Sequence, residues 1–355
     1  MKKLAGVLAL ALCASLFLGA VAALALGSWE QINQELKRPE DWHQIVGEST
    51  FRLGEKVQIG STGGQALYEM QFGTYPSIDG STVSVPMVME FARQHLLLPE
   101  EEVKGFSFLS TTHTAYEHLI LRRPNGSAML PSQSAAMDEN HPVDIIIATE
   151  PSDEELALAA QNGVTLIKKP VCFDAFVFIT HKDNPVKNLT VEQIQKIYAG
   201  EIMDWGEVGG PNGKILAYQR SKNSGSQTAM ENLVMKGLPL AAAQPNYVTG
   251  DMEGLVRQVG DYENGPCSLG YTYKFYIDTL YKSDAIKVLS VNGVAPANEN
   301  LRSGAYPFTT NYYGVIRAGE ENANGGLFLD WMLSEEGQKC IAQAGYIPMM
   351  ELPPQ

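Results

Sequence analysis

Positive charge is scarce in this sequence: 26 lysines and arginines stand against 40 aspartates and glutamates, a net charge of −14. A duplex-DNA reader needs a basic face to gather phosphates. Arg122-Arg123 and Lys168-Lys169 are pairs, not patches, so no nucleic-acid partner is expected. Cysteine is equally sparse, at four, and no C-x-x-C or similar metal spacing occurs. The six histidines are scattered. His113 and His118 miss the i, i+4 spacing that would put two zinc ligands on one helix face, and all six are taken as surface or core residues. No G-x-S-x-G elbow is present to present a nucleophile. The glycine-rich stretch Gly60-Ser61-Thr62-Gly63-Gly64 lacks the lysine of a P-loop and is taken as a turn. Internal repeats and low-complexity linkers are also missing. Together these gaps argue against a DNA reader, a metalloenzyme, a serine hydrolase and a nucleotide-binding protein, and no metal or cofactor is expected.

What is present is the composition of a packed protein: 45% hydrophobic and 19% charged residues over a chain of 355. At about 150 residues per domain, that length predicts two domains. The start is positive (Lys2, Lys3) and residues 4–26 then carry no charge. A signal-peptide apolar region usually runs about 7–15 residues, whereas a spanning helix needs about 20. Ala23-Leu24-Ala25 offers a small-x-small cleavage site, so a cleaved signal and an uncleaved anchor both stay open for residues 1–27. Attachment of lipid to Cys13 is disfavoured by Leu12, where a small residue is wanted. Either way, lysines inside and acidic bulk outside export the remainder. Residues 28–75 are expected to be a surface lead-in. Of the exported cysteines, Cys172, Cys267 and Cys340, three cannot all pair; free thiols are expected, with one bridge and a leftover thiol as the alternative.

From residue 76 onward, short β-branched runs alternate with helical periodicity, which predicts an α/β architecture. Residues 144–149, 176–180 and 215–218 have the composition of buried strands. Ser152 and Glu155 make an S-x-x-E capping box, and Thr190 and Gln193 a T-x-x-Q box with Leu189 and Ile194 as its staple. A final helix is predicted over 327–344. Three segments share one device, small or hydroxyl residues immediately before an amphipathic helix. These are Asp79-Gly80-Ser81-Thr82, Thr111-Thr112-His113-Thr114, and Arg220-Ser221-Lys222-Asn223-Ser224-Gly225-Ser226. A helix start has unpaired N–H groups and the positive end of the macrodipole. Hydroxyls add donors, and an arginine grips two oxygens at once. If the three starts converge, they make a cage for a small oxyanion.

These landmarks resemble the phosphate-binding (PstS-like) substrate-binding proteins of ABC transporters. The similarity rests on Ile78-Asp79-Gly80-Ser81-Thr82 with Pro86, Asp174-Ala175-Phe176-Val177-Phe178-Ile179, and Asn184-Pro185-Val186. It continues through Gln219-Arg220 with Asn223-Ser224-Gly225-Ser226-Gln227, then Leu269-Gly270-Tyr271 and Gly345-Tyr346-Ile347-Pro348. The resemblance implies a two-lobed periplasmic-binding-protein-like (type II) α/β fold with a ligand cleft between lobes, behind the N-terminal signal or anchor helix. Lobe one would take residues 76–172 and 271–355, and lobe two 173–270. Crossings would fall near 172–175 and 267–271, where Cys172 and Cys267 make a disulfide conceivable. The implied ligand is inorganic phosphate and the implied partner an ABC permease, with membrane association through the N-terminal segment if uncleaved. The implied ligand groups are Ser81, Thr82 and Val83, then Thr112 (with Thr114 as the rival register), then Arg220, Ser224, Gly225 and Ser226. The family also places an acidic acceptor after the strand at 144–149. Thr149 occupies that position here, and Glu150, one step on, is favoured for the role. That departure keeps sulfate, molybdate or a phosphonate open as ligands. A sensing or adhesion module is a further alternative, and an exported phosphoester hydrolase is disfavoured for want of a general base. The stretch 122–141 is taken as a surface insertion.

Overall fold

The computed structural model describes residues 75–96, 109–125, 141–242, 247–260 and 265–352. The apolar stretch 4–26, the lead-in, Cys13, the Gly60 motif and most of the insertion (126–140) lie outside the described residues. No described helix is long and apolar enough to cross a membrane.

Lobe one opens with β1 (Ile78–Gly80), α1 (Val85–Leu96), α2 (Thr112–Leu121), β2 (Ile145–Ala148) and α3 (Asp153–Gln161). The strand β3 (Leu166–His181) then leads into β4 (Asn188–Leu189), α4 (Val191–Tyr198), β5 (Leu216–Ala217), β6 (Gln219–Arg220) and α5 (Gly225–Ala229). These are followed by β7 (Val248–Thr249), α6 (Met252–Gly260), β8 (Ser268–Tyr273), β9 (Ile286–Val288), β10 (Ser290–Val291) and α7 (Asn298–Arg302). The chain returns on β11 (Thr309–Arg317) and closes with α8 (Asn324–Leu333), α9 (Glu335–Gln343) and β12 (Ile347–Pro348).

The sheet order is β1-β2-β11-β3-β8-β5, with β9 and β12 also on β3. All four residues of β2 are buried, which accounts for the unbroken apolar run, since a strand covered on both faces needs no polar alternation. β3 is the spine. Its 16 residues extend about 50 Å at roughly 3.3 Å each. Its first part pairs with β11 in lobe one, and residues 176–180 pair with β8 in lobe two. The clusters of buried residues follow the same division. Cys172 belongs to the lobe-one core, whereas Ala175 and Phe176 belong to lobe two.

The lobe-two core extends past the boundary expected at 270. Ile277, Leu289, Val291, Leu301, Tyr306 and Phe308 all pack into it. The return crossing therefore falls at Phe308–Tyr312, because Tyr312 rejoins the lobe-one core, and not at 267–271, where β8 lies wholly within lobe two. The crossings are hydrogen-bonded to each other: Thr309 pairs with Ala175 and Tyr312 with Cys172, and a register shift follows at Tyr312/Tyr313. A bulge of this kind bends a strand pair. Cys172, Cys267 and Cys340 are free thiols, so among the described residues no disulfide spans the lobes.

Both capping boxes form reciprocally. Ser152 accepts from Glu155 N–H while Glu155 accepts from Ser152 N–H, and Thr190 and Gln193 do the same. The predicted final helix is two helices. Ser334 is extended (φ −71°, ψ 165°) and accepts from Gly337 N–H at 3.2 Å, so it caps α9 instead of continuing α8. Gly337 admits the corner, since a Cβ there would lie 2.2 Å from Trp331 O.

Candidate oxyanion cleft

Between the lobes lies a cleft of about 240 Å³. Lobe one contributes Ser81, Thr82, Thr111, Thr112 and His113, and lobe two contributes residues 220–226, Gly250, Asp251, Met252 and Tyr273. The three predicted helix starts do converge. Seven of the eight candidate ligand residues line the cleft, and Glu150 does not.

Ser81 and Thr82 are held from behind. Asp79, fully buried, accepts from Gly80 N–H (2.7 Å), Ser110 N–H (2.8 Å) and Ser110 Oγ (2.6 Å), and pairs with His118 Nδ1 at 2.8 Å. Its lone pairs are thereby occupied, so it fixes the loop from below. The Ser81 N–H donates to Ile147 O at 2.9 Å, which leaves its hydroxyl, not its amide, as the donor toward the cleft. Neither Ser81 nor Thr111 uses its side chain to cap the helix it precedes. The Val83 side chain is fully buried in the lobe-one core. Thr112 is the lining register; Thr114 lies off the cleft, with its hydroxyl bonded to Thr111.

In lobe two, Arg220 is 8% exposed. Its backbone N–H donates to Tyr271 OH (2.9 Å) and Gln227 Oε1 (3.2 Å). The guanidinium donates to Ser226 Oγ (3.1 Å), Gly250 O (3.1 Å) and Thr249 O (3.3 Å). Burial lowers its pKa from the ordinary arginine value, yet an arginine remains charged near neutrality. Ser224 caps α5 through Gln227 N–H at 3.3 Å. Tyr273 OH donates to Gly225 O at 3.0 Å. Gly225 meets lobe one directly, for a Cβ there would lie 2.5 Å from Thr149 Oγ1 and 2.8 Å from Thr112 Oγ1.

The expected acidic acceptor is displaced. Glu150 pairs with Lys168 and is 39% exposed. Successive residues leaving a strand face opposite ways, so Thr149, 3% exposed, takes the inward position. Its Oγ1 is buried beside the Tyr273 hydroxyl. The carboxylate that does line the cleft is Asp251. It accepts from Gly254 N–H at 2.5 Å and so caps α6, bringing a fourth helix start to the site. The sequence carried a signal for it in Thr249-Gly250-Asp251 ahead of Leu255, Val256 and Val259. His113, taken as an ordinary histidine, also lines the cleft, with Nδ1 2.8 Å from Glu155 Oε1. Tyr273 lines it too, although it is a core tyrosine by burial.

Two lobes joined by paired crossings, with helix starts, hydroxyls and a buried guanidinium facing one cleft, define a two-lobed protein whose cleft is chemically suited to an anion. The chain belongs to the PBP superfamily, whose domain model matches residues 126–336. It is similar to the phosphate-binding protein PstS of Bacillus subtilis, 27% identical over 64% of this chain and 79% of that one. The PstS of Borreliella burgdorferi is 28% identical over 49% of this chain and 63% of its own length. Among solved structures, a phosphate ABC transporter substrate-binding protein from Clostridium perfringens, with bound phosphate, matches 78% of this chain and all of its own. Its TM-score is 0.55 at 24% identity. An ABC-type phosphate transport receptor from Vibrio cholerae has a TM-score of 0.52 at 21% identity, covering 76% and 98%. The two structures share the fold.

Proposed function

We propose that the chain is an exported solute-binding protein that captures inorganic phosphate between its lobes and delivers it to an ABC permease. The observation that carries this is the convergence of four helix starts and the buried Arg220 on one cleft. Such a site offers N–H and O–H donors, a guanidinium and positive dipole ends, all complementary to a tetrahedral oxyanion. The naming of phosphate draws on the PstS relatives. A charge-assisted hydrogen bond contributes about 1.5–3 kcal/mol and micromolar affinity needs about 8 kcal/mol, so four or five contacts suffice. The protein binds and releases its ligand without altering it. The positive, then apolar, N-terminal segment carries the chain across the membrane, remaining as an anchor if it is not cleaved.

The test is calorimetric titration with phosphate at about pH 5 and about pH 8, with sulfate as competitor. Tight phosphate binding that ignores sulfate is expected. Arg220→Ala should weaken it about a hundredfold, because the remaining donors face a desolvated charge without its main partner. Absence of heat with phosphate would overturn the reading. Thr149 favours a second reading, sulfate or another fully ionised oxyanion. A buried hydroxyl at the inward position donates to any oxyanion, whereas a carboxylate there would repel one that brings no proton. Sulfate outcompeting phosphate would establish it.

A further inference from the structure

The α3 capping box fixes more than its own helix. Ser152 and Glu155 bond reciprocally, and Glu155 is also paired with His113 on the cleft wall. The first turn of α3 is thereby ordered within itself and tied to the α2 start through His113. Glu154 sits between the two box residues on this platform, and it reaches across to the other lobe. One carboxylate oxygen takes Lys222 Nζ and the other takes Asn223 Nδ2. Lys222 and Asn223 immediately precede Ser224-Gly225-Ser226, which carries the lobe-two donors, and they line the cleft themselves. Their loop has a defined shape. Asn223 adopts a left-handed φ of 63°, which asparagine tolerates better than most residues, and Ser224 N–H donates to Ser221 O at 3.2 Å.

We propose that Glu154 is a positioning residue that clamps the closed cleft. It grips the lobe-two ligand loop from lobe one and slows release of the bound oxyanion. The hydrogen bonds from Lys222 and Asn223 hold the Glu154 carboxyl below its ordinary value, so the clamp stays charged at neutral pH. An exposed ion pair alone contributes little and is screened by salt. Here one carboxylate takes two donors on a loop already ordered, so a several-fold effect on one rate is expected. Contacts of this kind act on dissociation more than on association.

The proposal rests on the cleft being an oxyanion site, and the experiment separates the two. Phosphate association and dissociation are followed by stopped flow in the full chain, beside the distance between a fluorophore on each lobe. Glu154→Ala is expected to release phosphate about three- to tenfold faster, with association within about twofold of wild type. Glu154→Gln, which keeps an oxygen for Asn223 but not the charge for Lys222, should fall between. Asp153→Ala removes a carboxylate from the same helix turn and should leave both rates unchanged. Equal dissociation from wild type and Glu154→Ala would overturn the clamp, as would an equal acceleration in Asp153→Ala, which would mark a helix-stability effect. If the wild type takes up no phosphate, the functional reading fails. The clamp is then decided by the lobe distance, which must lengthen in Glu154→Ala if the clamp is real.

Discussion

Gly225 brings a lobe-two ligand group directly against the lobe-one threonines. A methyl group there would stand 2.5 Å from Thr149 Oγ1 and 2.8 Å from Thr112 Oγ1, well inside van der Waals contact. Thr149 and Thr112 are both buried and have little room to give. Gly225→Ala is therefore expected to prop the lobes apart and weaken oxyanion binding about tenfold or more, while each lobe keeps its core. Calorimetric titration beside thermal melting checks this, and unchanged affinity would mean that the lobes never close to this separation. Most of the cleft was legible at the residue scale, because Ser81, Thr82, Thr112 and the Arg220-to-Ser226 run carry a local signal of hydroxyls and glycine before helical periodicity. Glu150, expected at the site, lies off the cleft for a local reason as well. Strand alternation turns it toward Lys168 and leaves Thr149 inward, and one position along a strand exchanges faces. His113, Tyr273 and Glu154 were not legible as site residues. Their roles come from partners remote in sequence: Glu155, Gly225 O and the Lys222–Asn223 pair.

At the scale of elements, caps proved the most readable feature. Both predicted boxes close, and the staple residues Leu189 and Ile194 are fully buried. The Thr190 side chain accepts from Gln193 N–H at 3.1 Å on an exposed helix start, so little else compensates for its loss. Thr190→Ala should lower the unfolding free energy by about 1 kcal/mol, measured by urea denaturation, with phosphate affinity unchanged. An unaltered unfolding midpoint would show that water replaces the cap without cost. The same logic explains where element prediction failed. Ser334-Glu335-Glu336 is itself a helix start, yet the apolar spacing of Leu329, Met332, Cys340 and Ile341 runs on across it, because α8 and α9 bury their faces in one shared core. Periodicity reports burial, and two helices on one core can keep a common period through a corner. The start of α6 carries a weaker signal, because glycine and aspartate mark turns as often as caps.

Across the whole molecule, lobe one and lobe two are joined where β3 and β11 pair, and Asp174 lies at that junction. Its Oδ1 accepts from Ala175 N–H (2.7 Å) and Phe275 N–H (3.1 Å), tying a third inter-lobe segment to the two crossings. Its Oδ2 is buried beside the Tyr312 hydroxyl. Burial, only partly offset by those two N–H groups, the Tyr312 hydroxyl and Lys274, pushes the carboxyl pKa up to about 7. Cys172, Tyr273, Tyr312 and Tyr346 face it as further weak acids, and Lys274 is the nearby cation. The sign follows from the direction. A folded-state pKa above the unfolded value of about 4 means that the folded protein prefers the neutral carboxyl. Stability is full below about pH 4 and declines as pH rises, until the carboxyl is ionised in both states above about pH 7. An asparagine keeps an oxygen for both N–H donors and never ionises. Asp174→Asn should therefore gain on wild type by roughly 2–3 kcal/mol more at pH 8 than at pH 5 in urea denaturation. A pH-independent difference would mean that Asp174 is already ionised and hydrated in the folded state. The junction between the lobes would then be wetter than its burial indicates, and the two crossings would be joined by backbone pairing with little help from this side chain.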